Sequence, residues 1–219
     1  MSALPFRQGQ PFLQGKNKST WIYALIQGIV VGLAGMVHGI FAALQGNIPT
    51  GGYLLPLGIF TLIHNYLITG IAAIVVALAV ILWTIGFIHT KNGPSVFLAL
   101  SILLFLVGGG VAQTVFIILT WAVSTQIDKP LTWWEKRIHD KIKNRLAKAW
   151  LAILISDYSV ILIAIGIWLV LSQPSISYRT PTIVEYTLWS FLVIGVLLQP
   201  LVIVSGFAHD IERQSTLSE

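Results

Sequence analysis

Between Ser19 and Ile127 the chain carries a single charged residue, Lys91, and the twenty-one residues from Asp128 to Lys148 then carry ten. A water-soluble domain has about a quarter of its residues charged. So long an uncharged stretch excludes a soluble globular fold and predicts an all-α class, a polytopic transmembrane helical bundle in one membrane domain spanning 1–219. With 56% hydrophobic and 10% charged residues the composition agrees, and it leaves no second, soluble domain. The formal charge of +5 would suggest nucleic acid in a soluble chain. Here the Lys and Arg side chains lie beside apolar segments, so the lipid bilayer and its anionic headgroups are the expected partners, with no nucleic acid. The absence of cysteine excludes disulfides, thiolate metal sites and a cysteine nucleophile. The first apolar segment is too long for a signal-peptide core, so it is expected to persist as the first membrane helix.

A helix crossing about 30 Å of hydrocarbon at 1.5 Å per residue needs about 20 apolar residues. Five stretches qualify, at 20–45, 62–89, 95–126, 149–172 and 183–207. Gly46 to Thr61 holds Pro49, Gly51, Gly52 and Pro56 but no charge, which predicts an apolar surface loop or a short re-entrant piece. The stretch 95–126 is longer than one crossing needs and is broken by Gly108, Gly109 and Gly110. One kinked crossing is the primary expectation and a hairpin the alternative.

The distribution of Lys and Arg separates the two. Five full crossings divide them five against eight, whereas a hairpin at the triple glycine, which puts Arg7, Lys16, Lys18, Lys91, the basic loop and the tail on one side, divides them twelve against one. Charge favours the hairpin and length opposes it, since each half is too short to span alone. In either case the location is the cell (cytoplasmic) membrane, with the basic segment 128–148 on the cytoplasmic side. Within that segment Thr132 and Glu135 form a capping-box pattern. Leu131, Trp134, Ile138, Ile142, Leu146 and Ala149 recur at three- and four-residue steps, which predicts an amphipathic interfacial helix over 131–148. Trp133, Trp134, Lys136, Arg137 and Lys141 are its headgroup-level residues.

Inside apolar helices, information resides in small and polar residues. Gly28, Gly32, Gly35 and Gly39 form two GxxxG units on one face of the first span, a surface for close helix packing within the bundle or at a dimer seam. Gln27, His38 and Gln45 share a neighbouring face expected to point inward. His38 lies two turns inside the first span and His64 starts the second at the same surface, so the pair, with His209, is a candidate haem or metal site. Asp157 is the acidic residue deepest within a span, a candidate functional carboxylate or a hydrogen-bonded structural one, and Gln113 beside the glycine break joins the polar set.

No Walker loop, GxSxG, HExxH or dinucleotide fingerprint is present, so the reading leans away from an enzyme. Three classes remain. A non-catalytic membrane subunit or scaffold, joined to other membrane subunits or to copies of itself, is the first. A small transporter or channel using Asp157 is the second. A b-type haem or metal-bearing electron-transfer protein is the third.

Overall fold

In the computed structural model the described residues are 17–55, 58–171 and 182–218; Arg7, Lys16 and Arg179, which entered the charge argument, lie outside them. The chain is an all-α helical bundle. Among the described residues four helices, Lys18–Ala43, Tyr66–Phe87, Asp140–Ile167 and Val193–Thr216, are long and apolar enough to cross a membrane. Two compact units divide it, Met1–Pro130 and Leu131–Glu219.

In the first unit, α1 (Lys18–Ala43) and α2 (Tyr66–Phe87) form an antiparallel pair. Small residues bring their backbones together: Gly28 faces Thr84, Gly32 faces Ala77 and Ile81, and Gly39 faces Gly70. Gly35 turns instead to Leu104 on the next helix. The glycine stripe is thus occupied within the unit. Asn65 caps α2, its side-chain oxygen accepting from the Ile68 N–H at 3.1 Å, which satisfies one of the donors a helix start leaves open.

The expected crossing at 95–126 is replaced by a hairpin. Helix α3 (Gly93–Leu106) ends at a short strand, β3 (Val107–Gly110), and α4 (Gln113–Ser124) returns. At 14 and 12 residues the two helices are about 21 and 18 Å long, short of a 30 Å crossing. Contacts at both ends fix their direction. Trp83 Nε1 donates to the Gly93 carbonyl at 3.0 Å at the end of α2, and the Asn17 N–H donates to the Ile127 carbonyl at 3.1 Å at the start of α1. Asn17 Nδ2 also donates to the Gln126 and Lys129 carbonyls, at 2.6 and 2.8 Å. The hairpin therefore enters and leaves at the Asn17 end and turns beside the far end of α1.

The uncharged segment that precedes α2 closes this turn. Strands β1 (Leu54–Leu55) and β2 (Ile59–Thr61) extend it into an antiparallel sheet of order β1-β2-β3, in which Ile59 opposes Gly110 and Thr61 opposes Val107. The Leu62 N–H donates to the Leu106 carbonyl and the Val111 N–H to the Gly58 carbonyl, both at 2.9 Å. Backbone groups released by the helix break are thereby paired. The glycines are required sterically: Gly108 has φ +135°, and a Cβ at Gly110 would lie 2.7 Å from the His38 ring. All charged residues of this unit among those described, Lys18, Lys91, Asp128 and Lys129, lie at the Asn17 end, and residues 44–65 at the other carry none.

In the second unit, α5 (Thr132–Arg137) is only six residues long and ends where Ile138 becomes extended. The expected continuous helix over 131–148 is therefore absent, and its second half is the beginning of α6 (Asp140–Leu171). Leu131 rather than Thr132 occupies the N-cap, without a side-chain bond. The predicted stripe is also displaced. Ile142 is 56% exposed, and the buried line of α6 is Ala147, Trp150, Leu154, Asp157, Ile161 and Ala164. That line follows the three- and four-residue steps that face α7 (Thr182–Ser218), which runs antiparallel to α6: Ile161 packs on Gly195, Asp157 meets Gln199 and Trp150 lies against His209.

Two glycine substitutions separate packing from helix propensity. A Cβ at Gly39 would stand 2.9 Å from the Gly70 carbonyl oxygen and 3.0 Å from the Ile74 nitrogen, both backbone atoms. Gly39→Ala should therefore cost about 1–3 kcal/mol through overpacking and lower the thermal midpoint in detergent. Gly86 has nothing within 4 Å of its Cβ position, so Gly86→Ala should gain about 0.5–1 kcal/mol. Equal losses at both positions would remove close packing as the explanation.

Candidate functional site

Three places collect the polar residues of this apolar chain. The first is the hairpin tip. His38, near the end of α1, has Nδ1 2.7 Å from the Ala34 carbonyl oxygen. Because a carbonyl only accepts, Nδ1 must carry the proton, which sets the neutral tautomer. The Gln113 amide nitrogen lies 3.0 Å from the same Nδ1, and Gln113 Oε1 is buried with no partner among the described residues. Turning the amide by a half rotation removes the donor–donor conflict, presenting Oε1 to a ring N–H shared with the Ala34 carbonyl, and the two orientations are not distinguished by heavy-atom positions. Below the sheet, the Thr61 and Thr69 hydroxyls bond at 2.9 Å and Thr69 Oγ1 donates to the Ile63 carbonyl at 3.1 Å. Backbone, imidazole and amide thus form a tight polar knot at the glycine break.

The second place is the α6–α7 seam. Asp157 is fully buried, and Gln199 Nε2 donates to its Oδ2 at 2.5 Å. Its Oδ1 has no partner among the described residues, nor has the buried Trp150 Nε1 two turns earlier on the same face. The Trp150 ring lies against that of His209, centroids 5.2 Å apart. The third is α5, where Trp133 and Trp134 meet edge to face at 4.8 Å, Arg137 stands 4.5 Å over the Trp133 ring, and Trp134 packs on Phe207 of α7. Lys136 and Lys141 are exposed.

Measured against the sequence, these sites regroup the residues. His38 is joined to Gln113 and Ala34, whereas the His64 ring lies edge-on to Tyr53 at 4.9 Å and His209 belongs to the second unit. No group of three or more His, Cys, Asp or Glu side chains is placed to hold a metal ion among the described residues. Gln45 does not point inward: α1 ends at Ala43, and Gln45 is exposed, donating to the Phe41 carbonyl at 3.3 Å. Sequence reasoning missed Asn17, Thr61, Thr69 and Trp150. Asn17 and Thr61 stand in segments outside the long helices, and Thr and Trp such as Thr69 and Trp150 are common within them, so only the fold singles them out. Comparison with protein families, with curated proteins and with solved structures gives no match for this chain.

The knot predicts non-additive energetics. His38→Leu leaves the Gln113 amide buried without its imidazole partner and should cost about 1–3 kcal/mol. Gln113→Leu should cost less, because Ala34 still receives the ring proton, and the double substitution should be less destabilised than His38→Leu alone. Simple additivity in a thermal-denaturation cycle would mean that the two side chains do not interact.

Proposed function

We propose that this chain is a multi-pass membrane protein that acts as a non-catalytic membrane subunit, with its charged end on the cytoplasmic side. The observation that carries this reading is the polarity of charge. The first unit has Lys18, Lys91, Asp128 and Lys129 at one end and an uncharged loop, 44–65, at the other. Cytoplasmic ends of membrane proteins are enriched in Lys and Arg, which orients the uncharged sheet outward. The second unit adds a platform. Helices of 32 and 37 residues are about 48 and 55 Å long, more than a 30 Å hydrocarbon layer requires. The antiparallel arrangement puts Lys141, Lys143, Arg145 and Lys148 of α6 at the same end as Asp210, Glu212 and Arg213 of α7. Paired tryptophans with an arginine over one ring suit the headgroup layer beside it. This end engages anionic headgroups and the water-facing part of a partner subunit.

One observation favours a second reading. A re-entrant helix pair with a glycine break and a polar tip at His38 and Gln113 is an arrangement that channels and transporters use. That reading requires solute flux in proteoliposomes, lost in Gly110→Leu.

Because the chain lacks cysteine, single cysteines report topology without background. Asn47→Cys should react with a membrane-impermeant maleimide on intact cells, and Asn92→Cys and Asn144→Cys only after permeabilisation. Labelling of Asn92 and Asn144 from opposite sides would restore five full crossings and end the hairpin orientation. Native electrophoresis after mild extraction should show the chain in a stoichiometric larger assembly; a monomer alone would overturn the subunit reading.

A further inference from the structure

The charged platform leaves Asp157 unexplained. It lies nine residues beyond Lys148, about 13 Å along α6, near half the depth of a 30 Å hydrocarbon layer. A carboxylate at such depth is normally matched by a cation or gives up its charge. No cation faces it. On α6 the adjacent Tyr158 is the nearest titratable group and Lys148 the nearest base; on α7, the helix packed against it, residues 193–203 contain none, and His209 and Asp210 are ten and eleven residues beyond Gln199. Helix α5, which meets α7 at Phe207, brings Glu135, Lys136 and Arg137 only toward that same distant end.

What does face Asp157 is an amide. Gln199 Nε2 donates to Oδ2, and Oδ1 is left without a partner among the described residues although the residue is fully buried. A glutamine fits both protonation states of a carboxyl group. Its N–H donates to the ionised form, and after a half rotation its oxygen accepts from the acidic O–H. A lysine or arginine would favour only the ionised state, and an apolar neighbour only the neutral one. The seam is also asymmetric. Toward the charged end polar groups recur among the apolar Leu154 and Val202, namely Ser205, the buried Trp150 Nε1, His209 and Asp210, whereas toward the other it is lined by Ile161, Ala164 and Gly195.

We propose that Asp157 and Gln199 form an exchangeable proton-binding site within the α6–α7 seam, loaded from the charged end. The proton bonds to a carboxylate oxygen of Asp157 and Gln199 exchanges donor for acceptor as it arrives. The site is independent of any partner subunit, so it is tested on purified protein.

Infrared titration in detergent reads it directly. The difference spectrum between the full chain and Asp157→Asn should show one protonated-carboxyl C=O stretch that disappears as pH rises, separate from the bands that the other carboxyls, common to both proteins, give in acid. Gln199→Leu removes the donor that favours the carboxylate and should retain the band to higher pH, while Ser159→Ala, whose hydroxyl bonds its own helix at the Ile155 carbonyl, should leave the midpoint in place. A hydrophobic carbodiimide, which reacts with protonated buried carboxyls, should label Asp157 in the unaltered protein with the same pH dependence, read by mass spectrometry. A band unchanged to alkaline pH makes Asp157 a permanently neutral structural acid. No Asp157 band and no labelling at any pH make it a permanent carboxylate. Either result overturns the proposal.

Discussion

An apolar environment offers no substitute partner to an unpaired backbone N–H or C=O, and each one left open costs several kcal/mol. The chain breaks its third apolar helix at three glycines, and the first unit is arranged around repairing that break. Strand β2 supplies the antiparallel partner for β3, and the Leu62 and Val111 N–H groups complete the pairing at either side. Residues 46–55 and 58–65 are thus the cover of the hairpin rather than a passive connection between spans. Remove the cover, and two short helices would meet at unpaired backbone.

Close approach makes this repair possible. α1 and α2 touch through Gly28, Gly32, Gly39 and Gly70, so that α1 can hold His38 against Gly110 while Gly35 accepts Leu104 from α3. At the opposite end Asn17 satisfies terminal carbonyls after α4, groups that a helix C-terminus otherwise leaves open. Polar side chains are few in this unit, and they are spent on backbone and on one another.

The second unit solves a different problem. Its two long helices pair their own backbone except at Pro200, which has no N–H to offer the carbonyl four residues earlier, and a regular line of small and apolar residues packs them together, interrupted by Asp157 opposite Gln199 and by Trp150 against His209. A buried hydrogen-bonded pair inside an apolar seam fixes the register of two helices that could otherwise slide, because slippage would strand both groups. The same pair is the one place in the seam where a proton has a chemical choice.

Membrane character, helix content and the internal role open to the glycine stripe were legible in the residues themselves, because hydrophobic length and charge exclusion act locally. The charge distribution pointed to the hairpin, and Lys18, Lys91 and Lys129 do lie at one end, but helix length made a single crossing the primary expectation. Length misled because it assumes that a helix must pair its own backbone, and β2 removes that requirement from a distant part of the chain, Ile59 opposite Gly110 and Thr61 opposite Val107. The basic helix at 131–148 was misread for a similar reason. Periodicity does not reveal the two non-helical residues, Ile138 and His139, that divide one apparent pattern into two helices. Which polar side chain meets which was beyond the sequence altogether. His38 with Gln113, and Asp157 with Gln199, are separated by 75 and 42 positions, and only the tertiary structure brings them within a hydrogen bond.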